Sequence, residues 1–347
     1  MRLFWPTVEM LVELPPWSPP LGLRLDARWF PCLGAFPQGV LAIDSDRLDL
    51  GAGLARGVVF QQGPGEPELC VFAFEGGCVE ADLTIVGSRP VALLFRDSVR
   101  LGGGIDARCA GARRSGPGLA AAPGGGGGFG GPGGAPGGAG AGGPSYGLRG
   151  ACEIGSGGQP GNSSGGLGGG GLQLGAVGRL ELVGAWIDVS GGAGASARQG
   201  TAGGGGSGGS LVLHGREVRL DGATALSVRG GGGGAAAGPG VRGGGGGGGG
   251  YVLGLTELGR RFDPRGASFL TTGGRGGRAG RGNSGKDGAR GVVFLAGKRD
   301  RRPILSRDEP RADEQPGFRP RTPLIASSSG ETMSRDSDHP ARTRSTR

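Results

Sequence analysis

Apolar residues recur at every second position in short bursts, and the bursts repeat along the chain. Residues 172–192 read LQLGAVGRLELVGAWIDVSGG, and residues 211–231 read LVLHGREVRLDGATALSVRGG. The first copy holds the pairs Leu172/Leu174, Leu180/Leu182 and Ile187/Val189; the second holds Leu211/Leu213, Val218/Leu220 and Leu226/Val228. A period of two is the pattern of a strand that buries one face, so each copy predicts three short strands. A diverged copy, VALLFRDSVRLGGGIDARCAG, occupies 91–111, and a fourth runs over 251–274 from YVLGLTELG to ASFLTTGG. Block starts at 91, 172, 211 and 251 are 81, 39 and 40 residues apart. A spacing near 40, or twice that, is what stacked repeats produce. Further strand-like bursts lie upstream from Val40 and downstream in GVVFLAG at 291–297.

The pattern predicts an all-β fold, an irregular right-handed parallel β-helix or solenoid with long glycine-rich loops over residues 40–297. The hand follows from the usual chirality of parallel crossovers. Residues 1–39 contain Trp5, Trp17 and Trp29 among many prolines. They read either as a cap over the first apolar layer, which a solenoid end requires, or as a poorly ordered leader. Residues 298–347 are dense in Arg, Asp, Pro and Ser with no apolar period, which predicts a disordered charged tail.

Composition changes this picture in one respect. Glycine supplies 88 and proline 24 of the 347 residues, above the level of roughly 25–30% at which low complexity becomes the default reading. Apolar residues sit in the strand bursts and are nearly absent between them, so a core can form only where bursts stack. The glycine runs between them have no side chains to bury and the highest unfolded entropy of any residue. They are expected to be mobile loops with local order near the strands. The alternative is extended polyglycine-II-like segments projecting from one side. The formal net charge of +9 would suit nucleic acid or an anionic surface; arginine also rises with genomic G+C content, as do Gly, Ala and Pro.

Candidate chemistry is sparse. Among five cysteines, Cys70 and Cys78 flank FAFEGG, a loop that a disulfide could close in an oxidising compartment; unpaired buried thiols are the other reading. With no C-x-x-C pair and only two histidines, no zinc-ligand set assembles, and no cofactor motif stands out. The many GxGxxG matches follow from glycine content and lack a strand–turn–helix setting. GGRGGRAGRGNSG at 273–285 resembles an arginine–glycine segment that binds RNA, but it lacks aromatic residues for base stacking and sits between two strand bursts, which favours an inter-strand loop. Gly282, Gly285, Gly288 and Gly291 mimic collagen spacing, yet without proline they cannot sustain a triple helix. Asp44, Asp46, Asp49, Asp106 and Asp188 are the carboxylates that a carbohydrate-active solenoid would use. Asp106 and Asp188 occupy equivalent repeat sites where the next copy has Ser227, which favours outward-facing scaffold. His214 is expected to face solvent between strands. No apolar window of about 18 residues exists, so no transmembrane segment is predicted. The first 30 residues, broken by Glu9, Glu13 and prolines, lack the uninterrupted apolar region of a signal peptide.

The order GGGGxxL…GxIDVSGG, GGGGSGGSLVL…ALSVRGGGGG and GGGGGGGGYVLGL, with VGSRPVALLFRDSVRLGGGIDARCAGARRSGPG upstream, resembles glycine-rich repeat hypothetical proteins common in myxobacteria. The resemblance spans about residues 40–297 and implies a secreted or lipid-anchored envelope protein. It carries no catalytic residues over. The chain departs from that pattern in lacking a lipobox cysteine and in its long charged tail. The function expected is therefore a non-enzymatic structural or adhesive protein of the cell surface, with cell-surface polysaccharide or envelope components as partners. A carbohydrate-active β-helix enzyme or carbohydrate-binding protein is the alternative, and an Arg/Gly-rich nucleic-acid binder the third.

Overall fold

Strands stack in parallel ladders on one side of the protein, and glycine segments stack on the other. The computed structural model describes residues 35–296, apart from residues 52, 63–65, 109–115, 139, 148–151 and 257–261. The expected tryptophan cap and charged tail lie outside the described residues, which contain strands and no helix.

The chain opens with β1 (Gly39–Asp44), β2 (Asp49–Leu50), β3 (Ala55–Arg56) and β4 (Val58–Gln61). Then come β5 (Glu68–Phe74) and β6 (Gly77–Val86), followed by β7 (Val91–Phe95), β8 (Val99–Gly102) and β9 (Gly104–Asp106). The two best-preserved copies form β10 (Gly171–Leu182) with β11 (Trp186–Asp188), and β12 (Ser210–Leu220) with β13 (Ala225–Ser227). Short β14 (Ala236–Pro239) precedes β15 (Tyr251–Thr256), β16 (Phe262–Asp263) and β17 (Ser268–Leu270), and β18 (Ala279–Arg281) precedes β19 (Val292–Ala296). Seventeen of these strands join one mixed sheet, and β14 pairs with β18 alone. The antiparallel pairs β1–β2, β2–β3 and β4–β5 lie at the N-terminal edge, where they cover part of the row of unpaired backbone groups that an edge exposes.

Elsewhere the pairing is parallel and in register. Cys70, Val91, Leu172, Leu211, Val252 and Val293 form one rung series across β5, β7, β10, β12, β15 and β19. Leu83, Ile105, Ile187, Leu226 and Phe269 form another across β6, β9, β11, β13 and β17. Like side chains thereby stack in columns: Leu93, Leu174 and Leu213 in one, Leu101, Leu182 and Leu220 in the next. Each is fully buried or nearly so, and each contributes about 1.5–3 kcal/mol of hydrophobic stabilisation. Phe36, Phe74 and Phe95, with ring centroids 4.7–6.1 Å apart, fill one end of this inner core.

The three-strand reading of each repeat needs one adjustment. The first two strands of the 172 and 211 copies run on as single strands, β10 and β12, whose mutual register shifts between Ala176 and Arg179. Such an irregularity bends a strand without ending it. The fourth block aligns from Val252, one residue later than the sequence pattern suggested. The 81-residue gap is not two stacked units, because β10 pairs directly with β7. Residues 107–170 instead leave the ladder and return to it.

Rung spacing shows where the glycine goes. Cys70 and Val91, paired across adjacent strands, are only 21 residues apart. Leu172 and Leu211 are 39 apart, and Leu211 and Val252 are 41 apart. The longer units add a glycine-rich excursion after the third strand: out along residues 190–197 and back along 202–209, then out along 229–236 and back along 243–250.

These excursions are not mobile loops. Successive amides of Gly243–Gly250 donate in three directions with a period of three. Gly243, Gly246 and Gly249 donate to Asn283, Lys286 and Ala289; Gly244, Gly247 and Gly250 donate to Gly234, Gly231 and Val228; Gly245 and Gly248 donate to Gly124 and Gly127, all at 2.7–3.0 Å. Their carbonyls accept in the same rhythm, from Gly137, Gly134 and Gly131, from Gly277 and Gly274, and from Gly205 and Gly208. Three residues per turn is the period of the polyproline-II helix, whose backbone groups point outward and need external partners. Here neighbouring segments supply those partners instead of water, and all eight glycines are buried. Gly203–Gly209 is bonded in the same way, toward segments 189–195, 156–159 and 245–248. The polyglycine-II alternative is therefore the arrangement found, and it forms a second core made of backbone.

The lattice explains the sequence of each segment. A Cβ on the interior Gly247 would land on the Gly206 carbonyl, and one on Gly250 on the Gly209 carbonyl. Segment 273–278 leaves one position in three open to solvent and reads GGRGGR: Gly274 and Gly277 face the carbonyls of Gly231 and Gly234, Gly273 and Gly276 face those of Gly288 and Gly285, and Arg275 and Arg278 are exposed. Segment 282–291 needs glycine only where it meets Gly243–Gly250, so Gly282, Gly285, Gly288 and Gly291 abut Val241, Gly244, Gly247 and Gly250. The collagen-like spacing is thus the mark of an outer glycine helix.

A second apolar cluster joins lattice to sheet. Val71, Leu94, Val212 and Leu253 on the outer face of the ladder pack with Phe129, Tyr146 and Tyr251. Phe129 stacks on Tyr251 at 5.2 Å and meets Tyr146 edge-on at 4.8 Å. The Tyr146 hydroxyl donates to the Ile154 carbonyl at 2.8 Å.

Two adjacent glycines test the lattice. A Cβ at Gly231 would meet the Gly192 carbonyl, whereas one at Gly232 meets nothing nearer than the Arg275 carbonyl at 3.7 Å. Gly231→Ala should lower stability in urea by about 1–3 kcal/mol, the usual cost of overpacking. Gly232→Ala should be neutral, or stabilising by about 0.4–1 kcal/mol through the unfolded chain. Equal midpoints for the two variants would contradict the packing described.

Candidate functional site

Four of the five carboxylates singled out in the sequence, Asp44, Asp46, Asp106 and Asp188, have a local partner. The Asp44 carboxylate accepts the backbone N–H groups of Asp46 and Arg47 at 3.0 and 3.1 Å and so caps its own turn. Asp46 accepts the Ser88 hydroxyl at 2.5 Å and its N–H at 3.0 Å, and pairs with Arg89 at 3.4 Å. The Ser88 hydroxyl, above all, holds the Asp46 carboxyl below its usual range. Asp49 lies in β2, opposite Arg56.

Asp106 and Asp188 are neighbours in one rung of β9 and β11. Burial pushes Asp106 up, but the two hydrogen bonds from the Arg108 guanidinium, at 3.0 and 2.6 Å, and its charge bring the carboxyl below normal. Burial dominates at Asp188 and raises it, despite hydrogen bonds from Ser190. Opposite shifts in neighbouring carboxyls are the pattern that separates a general acid from a base. Arg108, however, engages both oxygens of Asp106 and reaches Asp188 at 3.8 Å, and the next rung continues with Ser227. The group ties adjacent units together.

The cysteine pairing does not form. Cys70, Cys78 and Cys152 are free thiols, with Cys70 and Cys152 buried and Cys78 exposed. Strand alternation is the reason: the Cys70 side chain points into the inner core beside Phe72 and Phe74, while Cys78 lies past the corner on the next strand. Burial pushes the Cys70 and Cys152 thiols up to about 12, so both stay protonated and unreactive.

His214 is also placed differently from the expectation. It lies within β12 and is buried, with its Nε2 2.7 Å from the Gln173 amide nitrogen of β10. With that amide donating, Nε2 accepts and the ring is neutral with its proton on Nδ1. Burial pushes its pKa down to about 3. The sequence showed only a histidine two residues beyond Val212. Its burial and its Gln173 partner come from strand neighbours distant in sequence.

Cations are distributed unevenly. On the strand face arginines alternate with carboxylates: Arg179 and Arg219 flank Glu217 at 2.9 and 2.7 Å, and Arg265 meets Asp263 at 2.8 Å. The outer glycine pair 273–281 and 282–290 differs, with Arg275, Arg278, Arg281, Lys286 and Arg290 against the single carboxylate of Asp287. The five cations are exposed. Asp287 accepts the Gly276 N–H at 2.7 Å and so links the two helices. The arginine–glycine segment is therefore a rigid outer edge of the lattice with an arginine at each turn.

Among the described residues no group of three or more potential metal ligands occurs, and no helix is long and apolar enough to cross a membrane. In comparisons with family models, with characterised proteins and with solved structures, the chain shows no significant match.

His214 predicts a pH dependence of stability. The fold holds it neutral down to about pH 3, whereas the unfolded ring binds a proton below about 6.5. The unfolded state therefore binds more protons between those values, and stability falls as pH drops through that window. The contribution is fully present above about 6.5 and is lost at about 1.4 kcal/mol per pH unit below it. Urea midpoints measured at pH 7.5 and pH 5 should diverge in the native chain and converge in His214→Gln. A variant with the native pH slope would refute this role.

Proposed function

We propose that the chain is a non-enzymatic structural or adhesive protein of a cell surface or envelope. We read its fold as a right-handed parallel β-solenoid whose later units each extend a glycine hairpin into a shared lattice. In-register parallel pairing carried from β5 to β19 supports the solenoid reading. The observation that carries the functional reading is the buried oligoglycine lattice itself. Two interlocked cores, one of stacked aliphatic columns and one of hydrogen-bonded backbone, make a stiff body. The outer helices of that body present side chains at fixed three-residue intervals. Such a body suits display and contact, and its carboxylates are engaged in holding turns and joining rungs.

Fractionation of the native host with an antibody to the chain tests the reading. The protein should be recovered with the envelope or in the medium. Recovery in the cytosol alone would overturn it.

A further inference from the structure

We infer that the outer glycine pair 273–290 is a docking strip for a linear acidic polysaccharide, with Arg275, Arg278 and Arg281 reading its carboxylate or sulfate groups. The inference deepens the adhesive reading above and rests on it for the setting in which such a polymer is met.

The lattice fixes the row. Gly274 and Gly277 donate to the carbonyls of Gly247 and Gly244, while Gly233 and Ala236 donate to the carbonyls of Arg275 and Arg278. The backbone between the arginines is thereby held on both sides, and Arg275, Arg278 and Arg281 all lie on exposed positions. One arginine per three-residue turn places successive Cα atoms roughly 9 Å apart along the helix. Lys286 and Arg290 add exposed positive charge on two faces of the antiparallel partner, and Asp287 is the one carboxylate along it. Guanidinium groups recognise carboxylate and sulfate oxygens through paired hydrogen bonds. A polymer with a charge on each repeat engages several in succession, so individually weak contacts add through linkage. Because the backbone is already ordered, docking is spared the cost of ordering it.

The same residues argue against other polyanions. Residues 273–290 include no aromatic side chain and no apolar one larger than alanine. Bases would find no stacking platform, and a membrane no apolar wedge. Asn283 and Ser284 sit at the turn between the two helices and add hydroxyl- and amide-type polarity suited to sugars.

Binding of the full chain to polygalacturonate, measured by calorimetry at low and high salt, is the test. The native chain should bind, and more weakly as salt rises. R275Q/R278Q/R281Q should lose at least about tenfold in affinity with an unchanged thermal midpoint. R56Q/R100Q/R179Q, which removes the same charge from exposed positions elsewhere, should bind as the native chain does. No binding by the native chain, equal loss in both variants, or tighter binding of oligothymidylate lost in the first variant would each overturn the assignment. A cytosolic protein that still bound polygalacturonate through this row would sink the surface reading while leaving the strip intact.

Discussion

Every other feature depends on one constraint: backbone amides buried in the lattice must bond to a neighbouring segment, and no side chain can intervene. A polyproline-II-type helix makes no internal hydrogen bonds, so a lone glycine segment in water would stay unfolded. Packed among neighbours, as Gly243–Gly250 is, each N–H and C=O finds a protein partner. An unpartnered buried amide is costly, so the segments order together or not at all. The parallel strands make this feasible. By fixing Leu172, Leu211 and Val252 in one register, they deliver successive glycine hairpins to one side at the spacing of adjacent strands.

The two cores stabilise each other. Val212 and Leu253 on the outer ladder face pack under Phe129, Tyr146 and Tyr251, and the lattice would lack an apolar anchor without those three rings. Insertion 107–170 is central to this mutual cover. It supplies Phe129 and Tyr146, and it also supplies Gly124, Gly127, Gly131 and Gly134, which complete the surroundings of Gly243–Gly250. The side chains that remain exposed stand on a stiff periodic support, as Arg275 and Arg278 do, and that is the basis of the surface role proposed.

Much of the strand architecture was legible because alternation directly encodes a buried face: Leu172/Leu174 and Leu211/Leu213 are paired as their positions suggested. The lattice was less legible, because Gly in a run of Gly carries no pattern of its own. The signal lay at the edges, in Gly282, Gly285, Gly288 and Gly291 and in GGRGGR, where glycine stands at the positions whose Cβ would strike a neighbouring carbonyl. The outcomes for His214 and Cys78 differ from expectation for separate reasons: His214 meets Gln173 from a strand 41 residues away in sequence, and Cys78 stands just past a corner on an exposed position of β6. The acidic residues were half legible: Asp106, Asp188 and Ser227 fall in one rung series, as their equivalent repeat positions suggested, but Asp188 and Ser227 are buried where the repeat pattern suggested an outward face.

Amide hydrogen exchange across residues 243–250 tests the central claim most directly. Protection comparable with that of β12 is predicted, since both sets of amides are buried and bonded to neighbouring chain. Exchange at the rate of an unstructured glycine peptide, with β12 still protected, would contradict the lattice and the account built on it.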